Sequence, residues 1–367
     1  MILIKPDFIQ EVQSAKTKED IQNYLSGAVT LELATLPTYF TGIFSIKPGT
    51  GSTAKTLAQS VALEEMLHLT LASNLLIAVG GNPNVYRIGA SLKFPTQLPL
   101  GVIPDLTIPL TKMSKEQVYS TYMGIECPDT ASILPGETQL HPVAALRKEA
   151  EERGVDYRSI GDFYDVILQK LDEIPAVLDT PRAENQVDIS KWFPPAIPAN
   201  PTGKVIDLNT ATEVIKAIIR EGEGAQVGSD PINPKGGLNN TYAHYFKFAE
   251  IYYGKELVQD ENGPSGWSYS GADIPFSEEF IYNFRPNTAL SDITKGSAAY
   301  NDASEFYGTY LRLLRAVHNT FNGQPEELKT AFGIMYELKL AAAKVVRHPF
   351  DPNDPSGYVC PPPFMAT

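Results

Sequence analysis

The sequence has 367 residues, of which 43% are apolar and 20% are charged, so it is long enough and apolar enough to form a sizeable globular core. Its formal net charge of −13 and its pI near 4.9 argue against nucleic acid or an anionic membrane as a partner, because either would require a basic surface. Residues 1–10 lack the apolar run of a signal peptide, and no apolar stretch is long enough to span a membrane, so we expect a cytoplasmic protein.

Four segments have the hydrophobic spacing of amphipathic α-helices. We predict these core helices at about 17–36, 53–79, 209–223 and 240–253. The first is expected to end before Pro37, since proline cannot donate a backbone hydrogen bond inside a helix. Two helices in each half of the chain predict a four-helix bundle, so the expected fold class is mainly α with long irregular insertions. We treat residues 1–367 as a single elaborated domain.

The segments between and after these helices are less regular. A proline-rich insertion spans about 84–205, and within it we expect helices at 114–126 and 159–174, each opened by a capping serine. The stretch 254–300 has no helical period, and we predict irregular structure there. Two additional C-terminal helices are predicted within about 304–348.

Two of the core helices carry polar side chains in the middle of their apolar faces. In VALEEMLHLTLASNLL, residues 61–76, Glu65 and His68 lie three residues apart within the apolar stripe. Glu32 occupies the same kind of position in the first helix. Because an isolated carboxylate in a protein core is costly, we expect these side chains to face a common partner that neutralises them.

The other two core helices add one candidate each. Ile215 and Ile218 define the apolar face of the third helix and direct its next turn towards Glu223, which is therefore selected over Glu221. The rival interpretation is that Glu223 lies in water at the helix end. In the fourth helix, His244 lies on the apolar face.

These polar side chains together form a donor set that suits a metal ion. The candidate ligands are Glu32, Glu65, His68, Glu223 and His244. Converging carboxylates repel one another unless a cation is present, and carboxylates with imidazoles suit one or two ions of iron, or of manganese. The fourth helix has Thr241 where a second Glu-x-x-His pair would need its carboxylate, so we expect one metal position to be incomplete. Whether Glu64, Glu221 or Glu250 contributes is left open, and little effect is expected from Glu64→Ala.

Five stretches, in chain order, carry a resemblance to a known family: LELATLPTYFTGIFSI, VALEEMLHLTLASNLLIAVGGNP, IREGEG, YAHYFKFAEI and YLRLLRAVHNTFNG. Together they resemble the bacterial ferritin-like family that includes the iminophenyl-pyruvate dimer synthase domain of violacein and rebeccamycin biosynthesis. The resemblance covers the chain from about residue 17 to Phe364. It implies a ferritin-like helical core with metal-binding character, and it implies the same five residues as candidate ligands.

From the donor set and the resemblance together, we expect a metal-dependent oxidoreductase that acts on a small organic substrate in secondary metabolism. An amino-acid-derived imine is one such substrate. Iron is the first candidate for the metal, and O2 or peroxide is the expected oxidant. The alternative is a metal-binding or structural protein without catalysis. No nucleic-acid or membrane partner is expected, and the sequence leaves oligomerisation open.

Overall fold

The computed structural model of this chain describes residues 3–100, 106–128, 130, 132–155, 157–222 and 241–367. Within these residues the α-helices are α1 Pro6–Gln13, α2 Lys18–Ser45, α3 Ser52–Ala78, α4 Val85–Ser91, α5 Lys115–Gln117, α6 Met123–Ile125, α7 Pro142–Glu152, α8 Ile160–Glu173, α9 Leu208–Glu221, α10 His244–Tyr253, α11 Ala298–Phe321 and α12 Leu328–Val345. The short strands pair antiparallel, β1 Leu3–Ile4 with β4 Arg158–Ser159, β2 Thr96–Gln97 with β3 Thr107–Ile108, and β5 Lys255–Gln259 with β6 Trp267–Asp273.

α2 and α3 pack against each other, and most of both helices is buried. The second helix of the prediction, 53–79, is confirmed to within a residue. The predicted end of the first helix before Pro37 is wrong, because α2 continues to Ser45. Apolar side chains on both sides of the proline, including Leu36 and Tyr39, are buried, and their burial offsets the hydrogen bond that Pro37 cannot donate.

α9 and α10 are the other two helices predicted for the bundle, and both pack against α3. Asp207 caps the start of α9, which ends at Glu221. α10 begins only at His244, because the backbone at Ala243 is still extended. Thr241 therefore precedes the helix and is exposed, and the expectation that it shares a helix face with His244 is wrong.

The insertion between α3 and α9 contains the two helical segments that the sequence predicted. The segment 114–126 is confirmed as α5 and α6 joined by a π-helical turn, Val118–Tyr122. The Ser114 hydroxyl caps it by accepting a hydrogen bond from the backbone N–H of Gln117 at 3.0 Å. α8 is confirmed as well, and Ser159 caps it. Because the π turn and α6 pack against α10, the end of this segment lies beside the bundle.

The stretch 254–300 contains more regular structure than the sequence predicted. Gly254 ends α10 with a φ of 74°, a left-handed conformation that favours glycine, and β5 follows at once and pairs with β6. The prediction of irregular structure throughout is therefore wrong for this hairpin. The two predicted C-terminal helices are confirmed as α11 and α12, which pack against each other.

The buried apolar side chains of the described residues form one connected core. Contrary to the expectation from the sequence, α3 is long and apolar enough to span a membrane, but 89% of its most apolar window is buried inside the protein. Its apolar character is thus accounted for by packing within this core. The single domain over 1–367 and the cytoplasmic location stay predictions.

Candidate metal centre

Six ionisable side chains from separate parts of the chain meet between α2, α3, α9 and α10. Each is at most 2% exposed. We call them the carboxylate–imidazole cluster, and its members are Glu32 from α2, Glu65 and His68 from α3, Glu126 directly after α6, Glu221 at the end of α9, and His244 at the start of α10. No apolar core would hold so many such groups without a counter-charge.

Glu65 lies between the two imidazoles of the cluster. Its Oε1 is 2.9 Å from Nδ1 of His244 and 3.6 Å from Nδ1 of His68. The ring centroids of the two histidines are 5.3 Å apart, and their planes differ by 28°. One donor atom from each of these three residues lies within 4.8 Å of the others. A carboxylate in this position can bind a metal ion on each of its two sides.

Two further carboxylates of the cluster come from the insertion and from α9. Oε2 of Glu126 is 3.2 Å from Nδ1 of His244, and Oε2 of Glu221 is 3.2 Å from Nε2 of His68. Each imidazole therefore faces Glu65 and one carboxylate of its own. Separations of roughly 3 Å between such donor atoms are those expected for neighbouring ligands of one ion with bonds of about 2.1 Å.

Four buried polar atoms of the cluster have no hydrogen-bond partner within the described residues. They are Oε2 of Glu32, Oε1 of Glu65, Nδ1 of His68 and Nε2 of His244. A buried polar atom without a partner costs free energy, so four such atoms at one place indicate a missing group. Carboxylate oxygens and imidazole nitrogens are ligands for iron and manganese, and the site therefore fits a metal ion.

Three carboxylates of the cluster each accept a hydrogen bond from a hydroxyl group. The Tyr164 hydroxyl donates to Oε1 of Glu32 at 2.9 Å, and the Thr35 hydroxyl donates to Oε2 of Glu65 at 3.0 Å. The Tyr39 hydroxyl donates to Oε1 of Glu126. In all three carboxylates the other oxygen is left facing the cluster, which is the arrangement that outer hydrogen bonds give to metal ligands.

A buried ion pair lies behind His244. Nζ of Lys247 is 2.5 Å from Oε2 of Glu64, and the same oxygen is 3.1 Å from Nε2 of His244, although out of line for a hydrogen bond with it. Both side chains of the pair are at most 4% exposed. Glu64 therefore lies at Nε2 of the His244 ring, whereas Glu65 and Glu126 lie at Nδ1. The expectation that Glu64→Ala would change little stays a prediction, although the buried Glu64 carboxylate contacts both Lys247 and His244.

Burial and charge shift the pKa values of the cluster in opposite directions. Burial raises the pKa of Glu32 to about 8, although the nearby His68 opposes the shift. Burial also acts to raise the pKa of Glu65, but the two imidazoles beside it outweigh burial and hold that pKa at about 2. Burial alone would lower the pKa of His68 and His244, yet the carboxylates around them raise both well above the usual value. Without an ion, protons on the imidazoles balance part of the negative charge.

Four of the five ligands predicted from the sequence come together in the cluster, namely Glu32, Glu65, His68 and His244. The fifth, Glu223, lies outside the described residues. Glu221, which the helical pattern had ranked below Glu223 and whose contribution was left open, does reach the cluster, because Val214, Ile218 and Glu221 share the buried face of α9. Glu250 lies elsewhere and accepts a hydrogen bond from the backbone N–H of Leu257 at 2.9 Å.

Glu126 is the member of the cluster that sequence reasoning missed. It closes the predicted helical segment 114–126, where Met123, Ile125 and Cys127 around it are all buried. A carboxylate within such an apolar run is the same kind of anomaly that identified Glu65. The signal was therefore present, but nothing in the local pattern connected it with the bundle.

A family model described as ferritin-like matches residues 25–253 of this chain. The chain is also similar in structure to a ferritin-like protein from Caulobacter vibrioides, with a TM-score of 0.53 and 20% sequence identity, over 94% of this chain and 98% of the other. A comparison with curated proteins found no match. The predicted fold class, a mainly helical ferritin-like bundle with additional helices, is confirmed. The assignment of individual residues as metal ligands stays a prediction.

Proposed function

This chain belongs to the ferritin-like family, whose members commonly bind iron and include di-iron enzymes, and on that premise we propose that the carboxylate–imidazole cluster binds two redox-active metal ions. Iron is the first candidate and manganese the second. We further propose that the protein is an oxidoreductase that acts on a small organic substrate with O2 or peroxide. The resemblance to the iminophenyl-pyruvate dimer synthase domain suggests an amino-acid-derived substrate in secondary metabolism.

The observation that carries this proposal is the composition of the buried donor set. Ferritin-like di-metal proteins use a Glu from each of two helices and a Glu-x-x-His pair from each of two others, which makes four carboxylates and two imidazoles. The cluster contains the same number of each. Glu126, from the insertion, stands beside His244 and supplies the carboxylate that the fourth helix lacks. The incomplete metal position expected from Thr241 is therefore not part of the proposal.

The charge of the site supports two ions. Together with Glu64, the cluster contains five buried carboxylates, and the only permanently charged cation that contacts them within the described residues is Lys247. When all five carboxylates are ionised and both imidazoles are neutral, four negative charges remain. Two divalent ions would balance them, and binding would release the protons now held by the site.

The protein's own residues have defined tasks in this site. Tyr39, Tyr164 and Thr35 hold three carboxylates by hydrogen bonds, so that one oxygen of each faces the cluster. Lys247 holds Glu64 against the outer nitrogen of His244. Burial excludes bulk water, which strengthens every charge interaction at the site. When bound, iron supplies a redox centre and a Lewis acid.

One observation favours the second candidate function, metal binding without catalysis. The six donor side chains are at most 2% exposed, so the described residues leave the cluster closed to bulk solvent. O2 is small enough to diffuse through a protein core, whereas an organic substrate would need an opening. The two candidates therefore differ in whether an organic compound is consumed.

The proposal is tested by elemental analysis of protein purified without added metal, and again after reconstitution with Fe(II). We expect about two iron ions per chain. His68→Ala should lower the iron content and, with it, the melting temperature, because a bound ion stabilises the folded state. His318→Ala is the matched control, since His318 lies on α11 outside the cluster and pairs with Asn322.

Three results would refute one or both candidate functions or distinguish between them. Protein that holds no metal and cannot be reconstituted would refute both. Zinc as the bound metal would refute the oxidoreductase, because zinc has no redox chemistry. Full iron occupancy without consumption of O2, across a panel of amino-acid-derived imines and 2-oxo acids, would favour metal binding without catalysis.

A further inference from the structure

An apolar groove lies between α12 and the α2–α3 pair, on a different side of these helices from the cluster. Its volume is about 270 Å³, close to the lower end of typical small-molecule sites at roughly 300 Å³. We call it the α12 groove, and it is lined by Phe40, Ile43 and Phe44 of α2, by Gln59, Ala62, Leu63 and Met66 of α3, and by Phe332, Met335, Tyr336, Leu338 and Lys339 of α12.

The groove is separate from the metal centre. Leu63 and Met66 line it, and each is within two positions of Glu65 on α3. Successive side chains of an α-helix point about 100° apart, so one helix can carry the cluster on one face and the groove on another. No member of the cluster lines the groove. A ligand here would therefore occupy a second site.

A smaller inner cavity of about 60 Å³ continues the groove into the core. Phe40, Met66, Phe332 and Met335 line both spaces. Tyr310 lines the inner cavity, is only 5% exposed, and its hydroxyl has no hydrogen-bond partner within the described residues. Because a buried hydroxyl normally has a partner, an unpaired one on a residue that lines a cavity suits a ligand with a hydrogen-bonding atom.

The rim of the groove is positively charged in a protein whose formal net charge is −13. Lys339 lies at the rim, and Lys55, one helical turn before Gln59, is near enough for their charges to repel. Within the described ranges neither lysine forms an ion pair with a carboxylate. Two neighbouring ammonium groups without a counter-charge are destabilising, and an anion placed between them would remove that repulsion.

We propose that the α12 groove binds a small amphipathic carboxylate. Its apolar body lies against the aromatic and methionine side chains, and its carboxylate lies at the rim beside Lys339 and Lys55. A carbonyl or hydroxyl group at its inner end accepts a hydrogen bond from Tyr310. Methionine side chains suit this use, since Met66 and Met335 can adapt to ligands of different shape.

Fluorescence of Trp192 can measure the binding directly. Its ring stacks on Phe332 at a centroid distance of 6.1 Å, and Phe332 lines the groove. The chain has two tryptophans, so Trp267→Phe makes Trp192 the only one. Octanoate should change this fluorescence saturably with one site per chain, and octylammonium of the same length should bind about tenfold more weakly. Equal affinities for the two, or no saturable change with octanoate, would overturn the proposal.

Charge reversal at the rim tests the position of the carboxylate. We expect Lys339→Glu to weaken octanoate binding about tenfold, since an attraction is replaced by a repulsion at a partly exposed site. Lys329→Glu is the matched control, because Lys329 is an exposed lysine of the same helix that does not line the groove. Equal losses in the two variants would overturn the assignment. A dimer of this chain that covers the groove by burying Tyr336, and that octanoate does not dissociate, would overturn it as well.

The inner end of the site is tested by a matched pair of ligands. 7-Oxooctanoate differs from octanoate by one carbonyl group near its far end, and we expect it to bind about fivefold more tightly if Tyr310 donates to that group. Tyr310→Phe should remove the difference while leaving octanoate unaffected. Because the Tyr310 hydroxyl has no partner within the described residues, its removal should not disturb folding. Equal affinities of the two ligands for the unaltered protein would refute the role of Tyr310.

Discussion

Glu126 contacts two residues that lie on different helices of the bundle. Its Oε1 accepts a hydrogen bond from Tyr39 of α2, and its Oε2 faces Nδ1 of His244 at 3.2 Å. It is the only carboxylate of the cluster that comes from the insertion. In the proposed metal centre it supplies the fourth carboxylate, so its charge should be needed for full occupancy.

Glu126→Gln should therefore reduce metal binding while preserving the fold. The amide keeps the shape of the side chain and can still accept the Tyr39 hydrogen bond, but it binds a cation far less strongly. We expect the affinity for at least one ion to fall by about 10- to 100-fold, measured by Fe(II) titration. Glu116→Gln is the control, since Glu116 is an exposed residue of the same helical segment. Unchanged affinity in Glu126→Gln would remove Glu126 from the ligand set.

Lys247 and Glu64 should each be needed for stability as long as the other is present, because each compensates the buried charge of its partner. Removal of one partner of a buried pair leaves an uncompensated charge, so we expect Lys247→Met to lower the free energy of unfolding by about 3–5 kcal/mol. The double variant Lys247→Met with Glu64→Gln should recover much of that loss, as measured by urea unfolding of the metal-free protein.

An exposed pair offers the comparison for this measurement. Lys191 and Glu326 lie 2.6 Å apart with side chains 49% and 70% exposed, so Lys191→Met should change the free energy of unfolding far less than Lys247→Met. Equal losses for Lys247→Met and Lys191→Met would show that the buried pair is not coupled as its geometry indicates.

At the scale of the secondary-structure elements, the end of α9 determines how closely that helix approaches the cluster. Gly222 follows Glu221, and its backbone is in an extended region at φ −162°, so glycine is not required there by conformation. Glycine is required there for steric reasons, because a Cβ atom at this position would lie 2.6 Å from Nδ1 of His244 and 3.0 Å from Oε2 of Glu126. A glycine at the helix end thus allows α9 to reach α10.

Gly222→Ala should displace the two side chains that the added methyl group would meet. We expect reduced iron content and a lower melting temperature, because His244 must leave its position between Glu65 and Glu126. Gly308→Ala is the opposite case, since a Cβ atom there meets no atom within 4 Å and Gly308 lies inside α11. It should stabilise the protein by about 0.5–1 kcal/mol. Normal iron content in Gly222→Ala would contradict the close approach of α9.

At the scale of the whole molecule, the buried negative charge links folding to pH. The pKa of Glu32 is raised from 4.5 to about 8, so its protonated form contributes stability that is complete below pH 4.5 and is lost as the pH rises towards 8. The pKa values of His68 and His244 are also raised, and their contribution is complete below pH 6.5 and lost as the pH rises through the folded values. The pKa of Glu65 is lowered instead, so its contribution to stability is complete above pH 4.5 and is lost as the pH falls towards 2.

The metal-free protein should therefore become less stable as the pH rises from 6.5 to 8. Urea unfolding at several values in this window should show a falling midpoint. Protein loaded with iron is the control, because bound ions replace the protons and should abolish the trend. The apparent affinity for Fe(II) should rise over the same window. A metal-free protein whose stability does not change between pH 6.5 and 8 would contradict the raised pKa values.

The sequence by itself determined the features that depend on local spacing. Helical period predicted most of the bundle, and the i, i+3 spacing placed Glu65 and His68 on one face of α3 whatever that helix packs against. Polar residues on apolar faces then identified Glu32 and His244. The structure buries these side chains together, and their role as ligands stays a prediction. They could be recognised because a buried charge violates the hydrophobic pattern within a single helix, so it can be seen without knowing the neighbouring elements.

Only the tertiary structure decided how the donor set is completed. Glu126 joins it because the helical segment of the insertion packs against α10, a contact between distant parts of the chain that no local pattern encodes. Glu223 was preferred to Glu221, and Thr241 was placed on the helix face of His244, because both inferences depend on where a helix ends or begins. A shift of one residue turns a side chain by about 100° around the helix axis, so small errors in helix boundaries change which residues face the site.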